Sequence, residues 1–219
     1  MGNARVKTIV ASTLLAGSVL WLALFFHSSP PPPEKKAHEA VGRVLAEEAG
    51  KLLGAGGRIT VLARDTKVFV NPAADSELKG FATAAQELKL PVAGTNLVQL
   101  DPLRAVRVPP GDFFTLLGKL YEGDVVVSFL GPPVLSAEQR AKVADKKVRI
   151  AAFCPGDLPR QVNLKELFDQ NLLHAVVISR AMPLAGRPET DDARAWFRQL
   201  HQLITPAELS ELPVLDRAR

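Results

Sequence analysis

The chain has one cysteine, Cys154, in 219 residues, so it can close no disulfide on itself and offers no thiolate cluster for a metal. Its four histidines, His27, His38, His174 and His201, are dispersed, and no HExxH pair occurs. Net charge is small as well: the value is +4, Arg5 and Lys7 supply two of these charges, and the rest is scattered. That is too weak a field to suggest a nucleic-acid partner, despite a pI near 9.3.

Several functional motifs are missing. Gly54, Gly56 and Gly57 precede the first strand, whereas a dinucleotide fingerprint follows it; Gly118-Lys119 runs into Leu120, where a P-loop needs Ser or Thr. A receiver domain wants an acid ending the third strand and a lysine ending the fifth, and Leu130 and Arg180 stand there. An α/β-hydrolase would show GxSxG, which is absent. No cofactor is expected.

What is present begins with an uncharged run of 19 residues, Thr8 to Phe26. At about 1.5 Å per residue it spans a hydrocarbon core of roughly 30 Å. The competing reading is a cleaved signal peptide. Against it, the run exceeds an ordinary h-region, and Phe26-His27-Ser28-Ser29-Pro30 has no small-x-small cleavage site. We read residues 8–26 as a retained signal-anchor in the lipid bilayer. With Arg5 and Lys7 before the run, residues 1–7 form a cytoplasmic tail and the rest lies outside the cytoplasm, periplasmic or extracellular. Residues 27–37 hold four prolines, Pro30 to Pro33, and read as a stiff, hydrated linker.

Beyond the linker, apolar stretches of two periods alternate. Near-continuous β-rich runs occupy Arg58–Ala63, Pro91–Leu100, Asp124–Leu130, Val148–Phe153 and Leu173–Arg180, as expected of strands covered on both faces. Helical spacing appears over His38–Leu53, Ser76–Leu88 and Pro110–Tyr121, while Ser136 with Gln139 and Asn163 with Glu166 fit capping-box spacing. Such alternation predicts an α/β fold for residues 38–186: a three-layer α/β/α sandwich with a five-stranded parallel sheet, order 2-1-3-4-5. Residues 187–219 read as a helical extension, with Ala193, Trp196, Phe197, Leu200, Leu203 and Ile204 at helical spacing and Thr190 as its cap. Thr205 and Glu208 flank Pro206 in another capping box.

In an open parallel sheet, ligands collect at the carboxyl ends of the strands. The residues expected there are Arg64, Asp65 and Thr66, then Gly131, then Cys154 and Asp157, and finally Arg180. Cys154 could act as a nucleophile, but His174, its natural base, opens the fifth strand while Cys154 ends the fourth. A parallel sheet therefore separates them by roughly 20 Å at about 3.3 Å per residue. No catalytic residue is assigned.

The segments RITVLARDT, DVVVSFLGPP and VRIAAFCPGD, within Arg58–Arg180, resemble one lobe of the type I periplasmic-binding fold found in many extracytoplasmic solute receptors. The resemblance implies a binding or interaction module rather than an enzyme. Receptors of that type clamp ligand between two lobes, and this chain has room for one. A small polar ligand, a membrane-protein partner or a second copy of the chain are the partners expected. The alternative is a small membrane-anchored hydrolase or transferase using Asp65 and Arg64 at the carboxyl ends of the strands.

Overall fold

A computed structural model of the protein describes residues 17–18, 33–67, 70–100, 108–180, 182–184, 188, 190 and 192–213. The chain divides into two units, Met1–Glu34 and Lys35–Arg219, and the α/β domain is the second. Of the predicted anchor only Gly17 and Ser18 fall among the described residues, and the cytoplasmic tail falls wholly outside them. No helix among the described residues is long and apolar enough to cross a membrane.

The elements in chain order are α1 (Pro33–Leu52), β1 (Ile59–Arg64), α2 (Pro72–Glu87), β2 (Val92–Val98), α3 (Pro110–Gly118), β3 (Val125–Ser128) and α4 (Ala137–Val143). After these come β4 (Arg149–Cys154), α5 (Leu158–Gln161), α6 (Leu164–Asp169), β5 (Ala175–Ser179), α7 (Ala193–Leu200) and β6 (His201–Ile204). Helix α1 starts earlier than its predicted onset at His38 and takes up the last part of the expected linker. Ala37, 1% exposed, extends the buried stripe of Ala40, Val41 and Leu45 by one turn, and a proline is tolerated in a first turn because its missing N–H has no partner there anyway.

The sheet order is β2-β1-β3-β4-β5-β6, parallel throughout β2 to β5, as the alternation predicts. The sixth strand corrects the sequence reading: β6 pairs antiparallel with β5, Ser179 opposite His201. Apolar spacing suggests one helix through Ile204, but His201 turns extended (φ −131°, ψ 166°) and ends α7. Leu203 and Ile204 gain more by closing the sheet edge than a further helical turn would give them. Asp192, whose carboxylate accepts from the Ala195 N–H at 2.7 Å, caps α7 in place of the expected Thr190. The capping box of Ser136 and Gln139 forms as expected, and that of Thr205 and Glu208 opens a 3-10 turn over Pro206–Glu211.

Strand parity sorts the core into two layers. Leu62, Val126, Ile150, Ala152, Cys154, Val176 and Ile178 face α3, α4 and α6 through Phe113, Leu117, Val143, Leu167 and Phe168. On the other face, Ile59, Val61, Ala63, Val125, Val127, Ala151, Phe153 and Val177 meet α1, α2 and α7 through Val41, Leu45, Phe81, Ala84 and Phe197. The β2 edge is the exception to burial, with Val92 to Leu97 exposed.

Helices α1 and α2 touch backbone to backbone. A Cβ on Gly42 would lie 1.9 Å from the Glu77 carbonyl oxygen, and one on Gly80 would lie 2.0 Å from that of Glu39. Only glycine fits at either crossing point. The contact sets the neighbouring turns side by side, which brings His38, one turn before Gly42, against Glu77, one turn before Gly80.

Candidate functional site

Strand order reverses between β1 and β3, and a cavity of about 200 Å³ opens at the carboxyl ends of the strands there. Its floor is made by Ala63 and Arg64 of β1, Phe129 and Leu130 after β3, Phe153 and Pro155 around the end of β4, and Ser179 of β5. Asn71, Ala73, Ala74, Glu77 and Leu78 supply the start of α2, His38 comes from α1, and His201 from β6. This is where a doubly wound sheet leaves a crevice, because the connections diverge to opposite faces on either side of the switch.

The polar groups of the cavity are unequally satisfied. His38 Nδ1 lies 2.9 Å from Glu77 Oε1, and Glu77 is 5% exposed. Burial raises the Glu77 carboxyl above its ordinary range, and the hydrogen bond and charge of His38 oppose that rise. His201 is 6% exposed, and its Nδ1 is buried with no hydrogen-bond partner. Burial, aided by the charge of His38, pushes the His201 imidazole down to about 4, so the ring is neutral at physiological pH. Phe153 and Phe197 hold that ring by aromatic contacts at 5.6 and 5.8 Å between centroids. Arg64 is half-buried at the strand end, and no partner holds its guanidinium among the described residues. The Asn71 Oδ1 accepts from the Ala74 N–H at 3.2 Å and so caps α2.

The predicted rim divides into groups that do not converge. Arg64 lines the switch-point cavity. Asp65 and Thr66 lie in the following loop, each with a local partner: Asp65 Oδ1 accepts from the Lys67 N–H at 3.0 Å, and Thr66 donates to Asp75 at 2.8 Å. Asp157 and Arg180 line a separate cavity of about 500 Å³ at the end of β5, where Arg180 donates to the Arg198 carbonyl and to Gln202.

Gly131 and Cys154 line neither cavity. Gly131 makes a left-handed turn (φ +89°) beneath Leu158. Cys154 shares its face with Ile150 and Ala152, the opposite face from the switch-point cavity, and is wholly buried. His174 lies at the far end of the sheet, its Nδ1 accepting from the Ile150 N–H at 3.2 Å, so the two are separated as the strand argument requires. Burial raises the Cys154 thiol. A thiol-reactive dye at pH 8 is expected to leave Cys154 unlabelled in the folded chain and to label it stoichiometrically in guanidinium; rapid native labelling would contradict its burial.

Three residues of the cavity escape sequence reasoning: His38, Glu77 and His201. They come from α1, α2 and the unpredicted β6, and none follows a strand. Their one sequence signal is the pair Gly42 and Gly80, each placed within a helix interior where glycine costs about 1 kcal/mol against alanine. A wider cavity of about 930 Å³ lies at the amino ends of the strands, around Arg140, Lys146, Lys147 and Arg149. Its cations are all engaged: Arg140 by Glu166 and Gln170, Lys146 by the Gly118 carbonyl, Lys147 by Glu122 and Arg149 by the Leu52 carbonyl. No group of three metal-ligating side chains converges among the described residues.

These features define a doubly wound α/β domain with its cavity at the switch point. Solved structures with similar folds include solute-binding proteins of sugar transporters. A carbohydrate-transporter solute-binding protein from Agrobacterium radiobacter, in complex with D-arabinose, has a TM-score of 0.47 and 14% identity, with 80% of this chain and 61% of that one covered. For the myo-inositol-binding protein of Caulobacter, bound to myo-inositol, the values are 0.46 and 15%, over 80% and 60%. The chain thus spans less than two thirds of the length of these proteins. Neither a family model nor a curated protein matches the sequence.

Proposed function

We propose that the protein is a membrane-tethered, extracytoplasmic binding module that holds a small polar ligand at the switch-point cavity and carries out no catalysis. The observation behind this reading is His201, a residue of the cavity lining whose Nδ1 is buried without a hydrogen-bond partner, together with Arg64, whose guanidinium has no partner among the described residues. Against catalysis, Ser179 on the cavity floor makes no hydrogen bond to His201, the residue opposite it in the β5–β6 pair, and its Oγ accepts from the Gly156 N–H at 3.3 Å. Tethering rests on the apolar run Thr8–Phe26 and the prolines that follow it.

The test is a thermal-shift screen of the full chain in detergent against amino acids, sugars and nucleotides. A ligand at about 100 times its Kd should add about 2.7 kcal/mol, or roughly 5–10 °C. The shift should disappear in Arg64→Gln. Silence across the whole panel would reject the binding reading and leave a scaffold.

A further inference from the structure

We propose that α7 and β6 form an acid-released latch: protonation of His201 detaches Ala193–Ile204 from the sheet edge and opens the switch-point cavity along the wall that His201 supplies. Release requires no ligand, so it is independent of what the cavity binds.

The segment is built to move as one piece. Helix α7 runs straight into β6, Leu200 to His201, with no loop between them. β6 is the outermost strand, four residues long, and among the described residues it pairs with β5 alone, from Val176 opposite Ile204 to Ser179 opposite His201. The five parallel strands keep other cover when it leaves, with α1 and α2 on one face and α3, α4 and α6 on the other. Beyond the strand pair, the segment is held by buried Trp196, Phe197 and Ile204, and by the Arg180 guanidinium on the Arg198 carbonyl and Gln202. Arg194 adds an exposed ion pair with Glu47 at 2.8 Å, a solvated contact that holds little. An edge element at the end of a domain opens more readily than the core layers do.

His201 makes that opening depend on pH. Its ring is boxed by Phe153 of β4 at 5.6 Å, Phe197 of α7 at 5.8 Å and His38 of α1 at 6.4 Å between centroids. An imidazolium carries an N–H on both nitrogens, and the one on Nδ1 would be buried without an acceptor. The neighbouring cationic groups are unfavourable too: His38, a second ring that titrates, and Arg64 on the same cavity wall. Ser179, opposite on β5, is uncharged. Glu77 of α2 is the acid of the lining, and its carboxylate is bound to His38 at 2.9 Å. It works against the effect: burial raises its carboxyl, so water entering the cavity favours its ionised form most at neutral pH. Once the segment has left the sheet, water solvates the imidazolium. Proton uptake therefore drives release below the ordinary value of 6.5, while the docked ring stays neutral down to about 4.

The test is hydrogen exchange read by mass spectrometry on the full chain in detergent at pH 7 and pH 5, with rates corrected for intrinsic exchange. Protection of residues 193–204 should fall by roughly 20-fold between the two, the linkage value for a ring moving from about 4 to 6.5. Global unfolding frees His201 as well, so the comparison with the core decides whether release is local. Residues 125–128 of β3 should stay about tenfold or more better protected than 193–204 at both pH values. His201→Phe should flatten the pH response of 193–204, and the wild-type profile decides alone should that variant not fold. Equal protection of the segment and β3 would overturn the latch in favour of one cooperative unit. A segment whose protection ignores pH would overturn His201 as its trigger. Neither result bears on ligand binding, which the thermal-shift screen decides.

Discussion

Gly80→Val should lower the melting temperature of the protein by up to roughly 6–12 °C, because Gly80 is buried where two helix backbones touch. The obstacle is backbone: the first carbon of any side chain at residue 80 would fall 2.0 Å from the Glu39 carbonyl oxygen. No rotamer change relieves such an overlap, so α1 and α2 must part along Val41, Leu45 and Phe81, all 3% exposed or less. Overpacking of this kind costs up to about 3 kcal/mol, and at this chain length each kcal/mol moves the midpoint by roughly 2–4 °C. Gly111 in α3 is the control, since nothing lies within 4 Å of its added Cβ. Gly111→Ala should therefore raise stability slightly, by up to about 1 kcal/mol. Circular dichroism melts of the three chains decide the matter; a Gly80→Val protein that melts with wild type would disprove the close crossing.

Stability should fall by about 3 kcal/mol between pH 6.5 and pH 4 because of His201. Its folded-state value is depressed from 6.5 to about 4 by burial first and by His38 second. The unfolded chain therefore takes up a proton at a pH where the folded chain does not. The contribution is complete above pH 6.5 and is lost as pH falls through the folded value, a difference of about 2.5 units at 1.36 kcal/mol each. Glu77 works the other way. Its carboxyl is raised by burial, so its contribution is greatest below its unfolded value and declines as pH rises through the folded one. The wild-type slope is thus shallower than that of His201 alone, and the comparison that isolates the imidazole is wild type against His201→Phe. Urea midpoints measured from pH 7 to pH 4 should converge as pH falls; parallel curves would rule out a buried, neutral His201.

The sheet was legible in the sequence because strands β1, β3, β4 and β5 are covered on both faces, so apolar runs such as Val125–Val127 stand out against the amphipathic helices between them. Strand β6 was not. Four residues are too few to show a period of two, and Leu203 and Ile204 continue the helical spacing of α7. Arg64 could be found by the rule that strand ends face ligands, and Cys154 satisfied the same rule without lining the cavity. Parity does not separate them, since Arg64 alternates with Leu62 and Cys154 with Ile150 and Ala152 on one face; Arg64 is half-buried and lines the cavity, whereas Cys154 is wholly buried in the core layer. His38 and Glu77 were hidden for another reason, since neither belongs to a motif. They meet because two glycines let two helix backbones touch, and that approach is a property of a pair of elements, legible in neither alone.

The cavity draws His38 from near the start of the domain and His201 from near its end. During synthesis, α1 and the parallel strands β1 to β5 leave the ribosome well before the strand that carries His201. A partly made chain can build its core layers and still lack one wall of the cavity. Ligand could then take hold only of molecules whose last strand has docked, which would make occupancy a readout of completed folding.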